Sequence, residues 1–176
     1  MPAETLFFAV RPPPAIASEI SRLTHRSRDL FGLKGAAIPE ERLHATLALV
    51  GDYDSALVET ASRAMASLQA RPLHVTFDRM YSFKGKPGGM PLVLGGGDGV
   101  MGLRFLQKLL VSEMRRVGLV GAGKSSFTPH VTLLYDRTPV PETPIDPISW
   151  PVREIVLVHS LVGQGRHIDL KTWPLV

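Results

Sequence analysis

The sequence predicts an α+β fold built from two similar lobes. Three observations predict it. About three stretches have helical hydrophobic spacing, and seven or eight others alternate as strands, partly in hairpins. The two halves look alike, each with a helix, a His-x-Thr strand and further strands. No composition shift marks a linker in 176 residues, a length that favours one compact unit, so residues 1–176 are read as a single domain of two lobes.

In chain order, "TLFFAVRP" reads as a buried strand closed by prolines. From Ala15 to Phe31 the spacing of Ile16, Ile20, Leu23 and Leu30 is helical. "GLKGAAIPEER" is a loop, and Leu43 to Val50 a strand ended by Gly51. Ser55 to Leu68 is a helix with Asp54 or Ser55 as its N-cap. Leu73 to Phe83 alternates as a strand, "KGKPGG" turns, and "MPLVLGGG" holds a short strand. Leu103 to Val117 is an amphipathic helix with Leu103, Leu106, Leu110 and Val117 inward, stopped by Gly118. His130 to Tyr135 is a strand, and "RTPVPETPIDPISWP" a proline-rich connection. The chain closes with two alternating strands turned by Gly163 to Gly165.

The absence of cysteine excludes disulfides, thiolate metal sites and a Cys nucleophile, and fits a cytoplasmic protein. The five-residue apolar run Leu6–Val10 is too short for a signal peptide, and nothing approaches the roughly 20 apolar residues of a membrane span. A net charge of +4 is compatible with a phosphate-bearing ligand and equally with an ordinary surface.

His-x-Thr occurs three times, at His44/Thr46, His74/Thr76 and His130/Thr132. In a strand, residues i and i+2 share a face, so each histidine lies beside its threonine. Leu43, Ala45, Leu47 and Leu49 then point into a core on the opposite side, as do Val131, Leu133 and Tyr135. The polar face continues into Ala48 and Val50 after His44, and into Leu134 after His130, which reads as a covered crevice. After His74 it continues into Asp78, a solvated pattern, and His74 is read as a surface residue. A single His-x-Thr is more often a surface or core histidine. Two copies on covered strands, one in each half, favour a site.

"RLHATLALVG" and "FTPHVTLL" resemble the paired His-x-Thr-x motifs of the 2H phosphoesterase superfamily, most closely its RNA 2′,3′-cyclic phosphodiesterases, also called 2′-5′ RNA ligases. "TLFFAVRPP" resembles that family's first strand and "IVLVHSL…GRHIDLKTWPL" its closing hairpin, so the likeness covers nearly the whole chain. It implies two antiparallel sheets in a pseudo-two-fold arrangement, helices outside and a central cleft. It implies hydrolysis of an RNA 2′,3′-cyclic phosphate end to a 2′-phosphate, with 2′-5′ ligation as the reverse reaction. His44 is then the proton donor, His130 the proton acceptor, and Thr46 and Thr132 bind substrate. Tyr135 stands where an arginine often follows the second motif, and Arg137 and Lys124 are the nearest basic residues. His167 stands where the closing hairpin usually has tyrosine.

Two histidines suit this chemistry, because imidazole titrates near neutrality and can give or take a proton on either side of phosphorus. Threonine hydroxyls can donate to the non-bridging oxygens. His-x-Thr is not a metal-ligand spacing and no paired carboxylates stand near either motif, so neither a metal nor a cofactor is expected. "GLVGAGKS", Gly118 to Ser125, fits the P-loop pattern in inverted context, after a helix and before a strand. Arg79, Lys84 and Lys86 interleave with Tyr81 and Phe83, as in a single-strand RNA contact or a solvated hairpin tip. His25 and His159 carry no motif and are read as structural. The expected partner is RNA with a cyclic-phosphate end, bound by a monomer away from membranes. The alternatives are the same chemistry on a nucleoside 2′,3′-cyclic phosphate or ADP-ribose cyclic phosphate, and a non-catalytic RNA-binding module.

Overall fold

In the computed structural model, residues 3–85, 88–119 and 126–176 are described. The elements are β1 (Glu4–Val10), α1 (Pro14–Phe31), β2 (Ala45–Asp52), α2 (Ser55–Ala66), β3 (Leu73–Ser82), β4 (Met90–Gly95), α3 (Met101–Arg116), β5 (Val131–Asp136), β6 (Thr143–Val152), β7 (Glu154–Leu161) and β8 (Arg166–Pro174). Short 3₁₀ turns precede β2 at Glu40–Arg42 and α3 at Asp98–Val100.

The strands form two four-stranded antiparallel sheets, ordered β2-β1-β7-β8 and β5-β4-β3-β6. The α+β class and the two-sheet, pseudo-two-fold plan agree with the expectation. The sheets do not divide the chain at its middle. The first takes strands from both ends, and the second contains β3 from the first half. Helix α1 packs on β5 and β6 of the second sheet, while α3 reaches β2 and β3. One buried cluster therefore contains residues of both sheets, from Leu6 and Phe8 to Phe77 and Trp150.

Sequence explains the helices. On α1 the buried stripe is Ala17, Ile20, Thr24 and Ser27, at three- and four-residue spacing. Its two hydroxyls are satisfied inside the helix, Thr24 donating to Ile20 O and Ser27 to Leu23 O. Gly32, at φ +64°, ends α1 in the left-handed conformation glycine tolerates. Asp54 caps α2 by accepting from the Ala56 N–H at 2.7 Å. Leu103, Leu106, Leu110 and Met114 form the inward stripe of α3.

Three expectations change. The proline-rich connection contains a ten-residue strand, β6. β6 is an edge strand, so Pro144, Pro147 and Pro151 need supply no ladder N–H toward solvent. Leu49 is 57% exposed and Tyr135 is 56% exposed, although simple alternation put both in the core. A register shift in each motif strand explains this. One falls between the Phe8–Ala48 and Ala9–Thr46 pairs, the other between Leu92–Leu134 and Val93–Thr132. One unpaired residue inverts the alternation that follows, so Leu47 and Ala48 are both buried, and so are Leu133 and Leu134.

Candidate active site

β2 and β5 are the edge strands of their sheets, and they come into contact. Each histidine sits on the residue just before its strand, His44 before Ala45 and His130 before Val131. The two are held alike. His44 Nδ1 lies 2.7 Å from Arg42 O, and His130 Nδ1 lies 2.8 Å from Thr128 O. The backbone oxygen can only accept, so Nδ1 carries the hydrogen and Nε2 is the unprotonated nitrogen of the neutral ring. Thr46 and Thr132, two residues on, share their faces and are half-buried.

An aromatic ring packs against each imidazole. Phe7 lies 5.0 Å from His44, and Phe83 meets His130 edge-on at 4.7 Å, centroid to centroid. Phe7 belongs to a small apolar cluster with Ala9, Val156 and Val158, separate from the main core, on the β1–β7 face that meets His44. Tyr81 packs beside Phe83 at 5.4 Å and lies over Gly95, where a Cβ would come within 2.5 Å of the ring.

A third imidazole joins the site. His167 of β8 lies 5.2 Å from His44 and 5.5 Å from Phe7. Burial pushes His44 down to about 4, helped by the positive charges of Arg11 and Arg42 and by His130. Burial likewise takes His167 to about 4, assisted by His44, Arg42 and Arg11, with Asp169 opposing. His130 is also lowered, again mainly by burial. Burial thus disfavours a proton on each of the three rings, and neighbouring positive charge adds to this at His44 and His167.

The positive charge comes from arginines that sequence reading did not single out. Arg11 continues the Phe7–Ala9 face beyond β1 and donates to both Asp169 carboxylate oxygens, at 2.6 and 3.0 Å. It also donates to the Glu41 and Leu43 carbonyls. Arg42 lies two residues before His44. Period-two counting outward from Phe7, His44 and His167 reaches Arg11, Arg42 and Asp169, which was the signal available.

The other candidates are more dispersed. Arg137 is exposed beyond the far end of β5, five positions past Thr132. Lys124 and most of the P-loop-like stretch, residues 120–125, lie outside the described residues, as does Lys86. Arg79 is paired with Asp78 and Glu142. His74 is exposed, and its partner Thr76 bonds to Ser149 at 2.8 Å. His159 is buried, 2.7 Å from Glu4 and stacked on Tyr53 at 4.0 Å, and His25 is exposed on α1. Among the described residues, no group of three His, Cys, Asp or Glu side chains is arranged to hold a metal. No described helix is long and apolar enough to cross a membrane, which says nothing of β-barrels.

Known proteins share this fold. The sequence profile of the 2′-5′ RNA ligase superfamily matches residues 12–164. E. coli LigT, solved in complex with 3′-AMP, is 25% identical, with a TM-score of 0.79 over 99% of each chain. A structure described only as a phosphoesterase is 26% identical, with a TM-score of 0.76, covering 98% of this chain and 99% of that one. A Kluyveromyces marxianus Usb1 structure, at 13% identity and TM-score 0.53 over 98% of each chain, shares the fold. No curated protein matches the chain. The profile spans most of the sequence and the LigT likeness all of it. The chain therefore belongs to the 2′-5′ RNA ligase superfamily, as a LigT-like 2H phosphoesterase whose activity is of the cyclic phosphodiesterase or ligase type.

Proposed function

We propose that the protein hydrolyses 2′,3′-cyclic phosphate ends of RNA to 2′-phosphates, with His44 as proton donor and His130 as proton acceptor. The observation that carries this reading is the matched pair of imidazoles, each pinned at Nδ1 by a carbonyl two residues upstream. A binding module has no need of two titratable groups held in this way. A phosphodiester opening in line needs both, one on each side of phosphorus.

His130 takes a proton from water as the water attacks phosphorus. The phosphorus–O3′ bond breaks, and His44 gives its proton to the departing 3′-oxygen. Thr46 and Thr132 donate to the non-bridging oxygens, where charge gathers in the transition state. His44 is held low in the ligand-free protein, so its proton arrives with the substrate. A phosphate anion opposes the field of Arg11 and Arg42 and raises His44. Ligation is the same ring opening with an RNA 5′-hydroxyl in place of water: His130 takes the hydroxyl proton, the phosphorus–O3′ bond breaks with His44 protonating the departing oxygen, and a 2′-5′ linkage forms.

RNA is favoured over a small nucleotide by Tyr81 and Phe83, which continue outward from His130 as stacking surfaces. Cytoplasmic, monomeric action without metal or cofactor completes the reading. The experiment is incubation with an oligonucleotide ending in a 2′,3′-cyclic phosphate, with chelator and without ATP. Ring opening is expected. Activity that vanishes with chelator and returns with a divalent ion would overturn the two-histidine mechanism.

A further inference from the structure

Beside His44, the β7–β8 hairpin and the turn before β2 line a groove of about 360 Å³. Arg11, Glu41, Arg42, Arg166, His167 and Asp169 line it. We propose that this groove is a second anion subsite, which takes the phosphate on the 5′ side of the nucleoside whose cyclic phosphate reacts. The inference rests on the function proposed above, which puts the departing 3′-oxygen, and so the ribose, next to His44.

The groove's charges are unequally committed. Arg11 is tied to Asp169 through both carboxylate oxygens and to two carbonyls, so it serves as a fixed wall. Neither Arg42 nor Arg166 forms an ion pair with a carboxylate among the described residues. Two nitrogens here, Arg42 Nε and His167 Nδ1, are buried without a hydrogen-bond partner among the described residues. Arg42 Nε is a donor at any pH, and a buried donor without a partner is rare and calls for an explanation. A phosphate supplies several acceptor oxygens and matches a guanidinium in two-point contact. Glu41 faces the same groove, so three guanidiniums meet two carboxylates and the balance stays positive.

The rim is shaped to leave Arg42 accessible. The hairpin turns through Gly163 and Gly165, at φ +85° and +62°. A side chain at 165 would stand 3.4 Å from the Arg42 guanidinium, so glycine keeps that edge of the groove low. The site is joined to the reacting centre by His167, 5.2 Å from His44, and by the Arg42 carbonyl that holds the His44 ring. A nucleotide lying with its 3′-oxygen at His44 sends its 5′-phosphate along this wall. A base would find charged walls there instead of aromatic ones.

The test compares two ligands by calorimetry at fixed ionic strength: adenosine 2′-phosphate and adenosine 2′,5′-bisphosphate. Wild-type protein should bind the bisphosphate roughly 10–100-fold more tightly, the scale of a charge-assisted contact. In Arg42→Gln, and independently in the exposed Arg166→Ala, that ratio should fall toward one. Equal affinity of the two ligands in wild type, or a ratio that survives both substitutions, overturns the subsite, as does failure of both ligands to bind at millimolar concentration. Ring opening of a cyclic-phosphate oligonucleotide is scored separately. Hydrolysis with a ratio of one refutes the subsite alone, and a high ratio without hydrolysis refutes the proposed reaction alone.

Discussion

At His44 and His130 a single hydrogen bond decides what the ring can do. With Nδ1 donating to a carbonyl, Nε2 is the nitrogen left for the proton transfers proposed above. Replacing either histidine by alanine should lower turnover about 10²–10⁴-fold, whereas His74→Ala should remain near wild type. Steady-state rates on folded variants check this, and equal loss in all three would contradict it. Both rings sit below the ordinary histidine value, with His44 at about 4. The form with one ring neutral and one charged therefore peaks in acid, so kcat/KM should be bell-shaped with its maximum below pH 6.5, as the behaviour of a coupled pair. A maximum above pH 8 would be incompatible with these environments. The histidines and threonines were legible because two residues carry the signal and two apart means one face. Phe7 and Arg11 on the β1 line, Arg42 in the turn before β2 and Asp169 on β8 come from distant segments, and only the folded chain joins them.

At the level of elements, the motif strands show where simple alternation stops. β2 and β5 share the burial order buried, half, buried, buried, exposed. An extra residue at the same place in each turns the strand over just after the threonine. Strand existence was legible from hydrophobic runs, but the bulge is set by the partner strand and leaves no local mark. β6 was hidden for a related reason, since proline forbids an inner strand but not an edge one. The outer edge of β5 is covered by the segment after α1. Ile38 N–H donates to Leu133 O, and the Asp136 carboxylate accepts from the Lys34 and Gly35 N–H groups. The Thr138 N–H also donates to this carboxylate, and that bond first, then those from Gly35 and Lys34, hold Asp136 down at about 2. Gly35 is pressed against β5, where a Cβ would collide with the Tyr135 carbonyl oxygen. Gly35→Ala should therefore destabilise the protein by about 1–3 kcal/mol, the usual cost of overpacking, and displace the second motif. Denaturant unfolding measures it, and an unchanged midpoint would mean that this edge is free to move.

Across the whole molecule, the sheets borrow strands and helices from both halves of the chain, so the two histidines are fixed by one shared core. The repeated motif made the two-fold plan legible. The exchange of elements was not, because pairing between distant segments depends on packing that no window of sequence contains. Acid reads out the cost of the site's burial. His44 and His167 are held near 4 when folded and return toward 6.5 when unfolded, so below pH 6.5 the unfolded chain binds more protons. Their contribution is full above that value and is lost as pH falls toward 4. The melting temperature should drop across this window, and His44→Gln or His167→Gln should soften the drop; a curve flat from pH 7 to 4.5 would contradict it. The most direct test of the central claim is the product itself. An enzyme with one fixed acid and one fixed base must choose which ring oxygen departs, whereas hydroxide does not choose strongly. Phosphorus NMR, or digestion with a phosphatase specific for 3′-phosphates, identifies the opened end. With His44 beside the 3′-oxygen the product is a 2′-phosphate; a predominantly 3′-phosphate end would contradict the assignment of donor and acceptor.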